Sequence, residues 1–173
     1  FGVPDLLPFT ISDMDLPTAP AVIAALRARL DHPVLGYSRW RNDDFLSAVV
    51  HWYTQRYDTA IDPGWITYAP SVIYQVSRLI GLWSQPGDGV VVHTPCYDAF
   101  PKTVAATGRR LRRVAMGDWA ALERELSHPQ TSVLVLCSPH NPTGHVWTEA
   151  ELVRIGQLCA REGVAVISDE IHS

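Results

Sequence analysis

After Trp65, apolar runs of two different periods alternate along this chain. Gly89–His93, Leu111–Ala115, Thr131–Cys137 and Val164–Ser168 each predict a short strand; Thr131–Cys137, β-branched and apolar and bounded by Pro and Asn, reads as a buried one, and Val164–Ser168 as an apolar one. Trp65–Tyr68 reads as a further short strand ahead of them. Between these runs, Val72–Trp83, Tyr97–Ala106 (with Pro101 near its start) and Trp119–Leu126 carry helical patterns, and the PGDG stretch supplies turn chemistry. In the last third, Thr148 is the expected N-cap, Glu149 and Glu151 place negative charge in the first turn, and Gly163 stops the helix. Leu152, Ile155, Leu158 and Cys159 supply its apolar positions at helical spacing. Strand and helix in regular alternation predict right-handed crossovers and a parallel sheet, hence a three-layer α/β/α domain. The first third reads differently. Residues 1–18 are proline-rich and open; a helix is expected over Ala19–Leu30, with Thr18 as cap and Val22, Ile23, Leu26 and Leu30 as its stripe. A second helix, capped by Asn42 or Asp43, runs to about Tyr57, and Asp58–Gly64 is loop.

Composition narrows the function classes. The chain has 173 residues, 47% of them hydrophobic and 18% charged, with a formal net charge of −4. That length suffices for a sizeable core. No basic patch suggests nucleic acid, no apolar run reaches the length of a membrane span, and no signal peptide is visible. Cys96, Cys137 and Cys159 are odd in number, lack CxxC spacing and lie in or beside apolar runs. They read as small buried hydrophobes in a reducing cytoplasm. The chain starts at Phe1 rather than Met, so a preceding segment is expected.

The candidate chemistry gathers at strand ends. Asn141 follows one expected strand in the rigid loop Ser138–Gly144; Asp169 ends another, with His172 three residues on. Ligands of open α/β sheets bind outside the carboxyl ends of the strands, so these side chains are delivered to one edge. An isolated Asp at that position is more often a cap or a salt-bridged acid; buried without a partner it costs several kcal/mol. Tyr97 follows the strand ending at His93. Ser71, Val72 and Ile73 open a helix, where free N–H groups and the helix dipole suit a phosphate. His140 and His145 stand five apart with no convincing third ligand, so no metal is expected. Asp13-Met14-Asp15 superficially resembles the nucleophile motif of haloacid-dehalogenase-type phosphatases, but Pro8 interrupts the approaching strand and Pro17 stands where Thr or Val is wanted.

SPHNPTG followed by SDEIHS resembles the signature of fold-type I enzymes that use pyridoxal phosphate (PLP). PFTISDMDLPTAP, LGYSRWRNDDF, YAPSVIYQVSRLI and GDGVVVHTPCYDAFPK narrow the resemblance to the MalY/PatB-type C–S β-lyases within the class I/II aminotransferases. The resemblance implies a PLP-binding major domain over 41–173, stopping before the catalytic lysine, with 1–40 as a small-domain and dimer-contact segment. It implies that Asp169 pairs with the pyridine nitrogen and Asn141 with the phenolic oxygen, with His172 a second partner there. Tyr97 is expected to stack on the ring, and Ser71, Val72 and Ile73 to hold the phosphate. Tyr37 would reach the phosphate of a neighbouring subunit, making a homodimer. The only lysine, Lys102, lies on a segment the family does not use for the Schiff base, so that lysine and the carboxylate-binding arginine are expected beyond Ser173, and this stretch alone should be inactive. The implied activity is cleavage of cystathionine or a cysteine S-conjugate to a thiol, pyruvate and ammonia. An aminotransferase is the alternative on the same scaffold, and a regulatory protein restraining a transcriptional activator is a third.

Overall fold

The computed structural model describes residues 16–173, so the Asp13-Met14-Asp15 motif lies outside the described residues. The chain forms two compact units, one running to Ile66 and the other from Thr67 to Ser173.

Within the first unit, α1 spans Pro20–Leu30 and α2 spans Asp43–Tyr57. Thr18 does not cap α1: the cap residue is Ala19, without a side-chain bond, and Pro20 at the first position needs no N–H partner. The expected stripe of α1 is unburied, with Val22, Leu26 and Leu30 all exposed. Asn42 does cap α2, its Oδ1 accepting from Phe45 N at 2.9 Å, and Asp58 ends the helix in the left-handed region at φ 49°. The strand expected at Trp65–Tyr68 is absent. Asp62 accepts from Gly64 N at 2.6 Å and Pro63 fixes its own φ, so Pro63–Trp65 winds into one 3₁₀ turn and the residues after it run on without forming a strand.

The second unit begins with α3 (Val72–Trp83), β1 (Gly89–Thr94), α4 (Ala99–Ala106) and β2 (Arg110–Ala115). It continues with α5 (Trp119–Leu126), β3 (Thr131–Cys137), α6 (Glu149–Glu162) and β4 (Ala165–Asp169). The strands lie in the order β2-β1-β3-β4, and each neighbouring pair is parallel. Alternation along the strands divides the core in two. Val90, Val92, Val133, Val135, Cys137 and Ile167 pack with Val76 and Ile80 of α3 and with Phe100 and Val104 of α4. Val91, Val114, Leu134 and Leu136 face Leu122 and Leu126 of α5 and Ile155 and Leu158 of α6. The result is the expected α/β/α domain. α6 is fixed by a capping box in which the Thr148 side chain accepts from Glu151 N and the Glu151 carboxylate accepts from Thr148 N.

Gly89 shows how tightly β1 meets β2. A Cβ there would fall inside van der Waals contact of Arg112 Nε, and Arg112 is held by Glu125 at 3.1 Å and by His128 Nδ1 at 2.9 Å. Gly89→Ala is therefore expected to destabilise the protein by about 1–3 kcal/mol, read as a lower urea midpoint.

Candidate active site

The direction of α3 sets one wall of the site. Its C-terminal end is fastened beside the start of the sheet: Arg109 donates to Ser84 O at 2.6 Å and to Ser84 Oγ at 3.0 Å, and Asp88, just before β1, accepts from Gln85 N at 2.8 Å. A helix of this length spans about 18 Å, close to the roughly 20 Å of a six-residue strand. The N-terminus of α3 therefore lies at the carboxyl edge of the sheet. There Ser71 Oγ accepts from Tyr74 N at 3.1 Å and Ser71 O from Gln75 N at 3.2 Å. Val72 N and Ile73 N keep no partner among the described residues. Two free donors at the positive end of a helix dipole form an anion cradle.

Asp169 is the last residue of β4 and only 6% exposed. By alternation it shares a face with Ile167, on the α3/α4 side. Its Oδ1 accepts from Ile171 N at 3.2 Å, and no ion pair reaches it among the described residues. A carboxylate so placed is incompletely paired and suits a cationic partner.

Cys137 marks where the other groups meet. Burial pushes its thiol above the ordinary value, an N–H from the Asn141 backbone opposes this, and Asp169 and then Cys96 push it further up. The Cys137 Sγ donates to Pro139 O at 3.3 Å, two residues before Asn141 in the same loop. Ser138 N donates to Asp169 O at 2.9 Å, which binds the Asn141 loop to the end of β4. Asn141 itself is half-buried, and the Ser138–Pro139 and Asn141–Pro142 peptides are cis, as is Thr94–Pro95 after β1. Tyr97 is half-exposed and meets Phe100 nearly perpendicularly, with centroids 5.8 Å apart.

The structure thus brings the α3 N-terminus, Tyr97 and Asp169 to one edge of one layer, and fastens the loop that carries Asn141 at the same edge of the sheet. His172 is exposed, in a turn closed by Ser173 N donating to Glu170 O at 3.0 Å. Tyr37 lies in the first unit, fully exposed.

A second cluster lies on the opposite, α5/α6 layer. His93 and His145 each sit 4.8 Å from Trp147 between ring centroids, and Trp119 sits 6.3 Å from it. His140 is buried and its Nδ1 is 2.9 Å from Thr143 Oγ1. Among the described residues no three His, Cys, Asp or Glu side chains gather as a metal site. Sequence reasoning weighed only His140 and His145, as metal ligands; alternation from Val91 was the signal that could have added His93.

His93 has a pH consequence. Burial chiefly, then His140 and His145, lower its pKa from 6.5 to about 4, and His140 is held low by burial too. The unfolded chain therefore binds protons that the folded one refuses, so stability is full above about pH 6.5 and falls as pH drops toward 4. At about 1.36 kcal/mol per unit, His93 alone accounts for roughly 3 kcal/mol. The urea midpoint should fall over that window, and His93→Phe should flatten the fall.

Residues 4–173 match the family described as Aminotransferase class I and II. The chain belongs to that family. Within it, the chain is 53% identical to protein MalY of Escherichia coli over 180 residues, covering 99% of this chain and 46% of that protein. It is 37% identical to cystathionine beta-lyase PatB of Bacillus subtilis, covering 100% of this chain and 46% of that protein. The crystal structure of cystalysin from Treponema denticola, which contains pyridoxal 5'-phosphate, superposes with a TM-score of 0.90 at 29% identity, covering 96% of this chain and 44% of that one. The chain therefore spans about half the length of the curated aminotransferase-family relatives it matches. Among the described residues, no helix is long and apolar enough to cross a membrane.

Proposed function

We propose that the full-length protein is a PLP-dependent C–S β-lyase that cleaves cystathionine or a related cysteine S-conjugate to a thiol, pyruvate and ammonia. The observation that carries this is the buried, incompletely paired Asp169 on the same edge as the two free N–H groups of Val72 and Ile73. A pyridinium nitrogen and a phosphate are the two ends of one cofactor, and these residues fit them. The similarity to cystathionine beta-lyase PatB favours the lyase within the family.

When bound, the cofactor supplies an electron sink for the charge left when a substrate loses its Cα proton. The residues of this chain prepare that chemistry. Asp169 keeps a proton on the ring nitrogen by offering it a desolvated negative charge. Val72 N, Ile73 N and the Ser71 hydroxyl hold the phosphate dianion, and the dipole of α3 adds to the attraction. The Asn141 amide donates to the phenolic oxygen, and Tyr97 covers one face of the ring. His172 is assigned beside the same oxygen, and Tyr37 to the phosphate site of a second subunit in a homodimer. The Cα proton would be taken by a lysine, a role not assigned to Lys102, which lies exposed on α4 and pairs with Asp98. Three free thiols accord with a reducing, cytoplasmic setting.

The test is release of pyruvate from L-cystathionine by the full-length protein, with no keto acid added. Pyruvate formed under those conditions supports the reading. Turnover that depends strictly on a keto-acid acceptor replaces it with an aminotransferase.

A further inference from the structure

The loop that carries Asn141 leaves β3 at Cys137 and enters α6 at Thr148. It is closed at its base by one side chain. Trp147 is 5% exposed, and its Nε1 donates to Cys137 O, ten residues back, at 3.1 Å. Inside the loop, His140 N donates to His145 O and Gly144 N to His140 O, both at 2.7 Å. The indole is flanked by His93 and His145 at 4.8 Å and by Trp119 at 6.3 Å, so its orientation is set by packing as well as by its hydrogen bond. Cys137 is also the residue whose thiol donates to Pro139 O inside the same loop at 3.3 Å, two residues before Asn141, and which stands in register with Asp169. The indole thus acts on one face of the sheet, and the residue it grips serves the other.

We propose that Trp147 is a positioning residue: by tying the end of the loop to the last residue of β3, it holds Asn141 at the phenolic oxygen of the cofactor. This rests on the functional reading above, in which Asn141 makes that bond. The physical reason is that a loop closed only by its own backbone bonds samples several arrangements, and an ångström of drift at Asn141 is enough to break a hydrogen bond. The bond from Asn141 favours the ionised phenolic oxygen, so its strength is read in the pH at which the bound cofactor's visible absorbance changes. It is read independently in cofactor affinity.

The experiment uses full-length holoprotein and the variants Trp147→Phe, Asn141→Ala, the two combined, and Trp119→Phe. Phenylalanine keeps a ring in the cluster but loses the indole donor and part of the ring's bulk; Trp119→Phe loses the same bulk in the same cluster at a residue with no bond to β3 among the described residues, and so controls for packing. Trp147→Phe is expected to shift the absorbance titration in the same direction as Asn141→Ala, by about one pH unit, and to weaken cofactor binding about tenfold. The double variant should shift little further than Asn141→Ala alone, because both changes break the same contact. Trp119→Phe should leave the titration in place. If Asn141→Ala shifts the titration and Trp147→Phe does not, the positioning role is wrong while the Asn141 reading stands. If Trp119→Phe shifts it as much as Trp147→Phe, the effect is general loosening of the cluster and the proposal fails. If Asn141→Ala itself shifts nothing, both the reading of Asn141 and the role of Trp147 fall together.

Discussion

An Asp169→Asn variant of the full-length protein should remain folded, keep much of its cofactor and lose about a thousandfold in kcat/KM, the scale of removing one preorganised charge from an active site. The substitution conserves shape, and the side-chain oxygen of asparagine can still accept from Ile171 N as Asp169 Oδ1 does at 3.2 Å. On the function proposed above, it removes the charge that would keep a proton on the ring nitrogen, and the bound cofactor would then be a weaker electron sink. Stability should move in the opposite direction or not at all. Asp169 is 6% exposed and has no cationic partner among the described residues, so neutralising it relieves a desolvation cost. A urea midpoint held or raised, with turnover of cystathionine nearly abolished, is the signature expected. Activity within a few-fold of the unsubstituted protein would remove Asp169 from the mechanism. A midpoint that falls together with activity would make it a structural acid.

That divergence was partly legible in the sequence. A carboxylate closing a strand of Ala, Val, Ile and Ser is conspicuous, because such a position is desolvated and parallel strands deliver their ends to ligands. The strands themselves were legible for the same reason: fully buried runs such as Thr131–Cys137 have apolar side chains for both faces of the sheet. Failures came where a local polar bond overrode a pattern. The Trp65–Tyr68 run has strand-forming residues, but Asp62 bends the chain just before it into a 3₁₀ turn. α4 begins at Ala99 rather than Tyr97, and Asp98, though placed as its cap, makes no cap bond and instead pairs with Lys102 at 2.5 Å.

The role of Cys137 was not legible at all. Sequence shows a small apolar residue ending a strand. Only the path of the following loop brings its carbonyl to Trp147 and its sulfur to the carbonyl of Pro139. Contacts of this kind depend on how ten intervening residues turn, which periodicity does not encode. The buried His93 was missed for a related reason: within an apolar strand its face is readable, but its neighbours across the loop are not.

Phe100 couples the core to the site, and Phe100→Ala should cost about 3–5 kcal/mol, among the largest single effects available in this unit. Its side chain is 2% exposed and sits in the apolar layer with Val76, Ile80, Val92 and Val104, where little room exists for collapse around the cavity. It also provides the perpendicular ring contact that Tyr97 makes at 5.8 Å. Removing it should therefore weaken cofactor binding as well as stability, since a tyrosine without that contact has more freedom to lose on stacking. Val104→Ala separates the two effects. Val104 is buried in the same layer but has no ring contact with Tyr97, so it should lower stability by less and leave cofactor affinity nearly unchanged. Urea unfolding of the apoprotein and a cofactor titration of each variant measure the two quantities independently. A Phe100→Ala protein that binds the cofactor as Val104→Ala does would confine Phe100 to the core and leave Tyr97 positioned by other means.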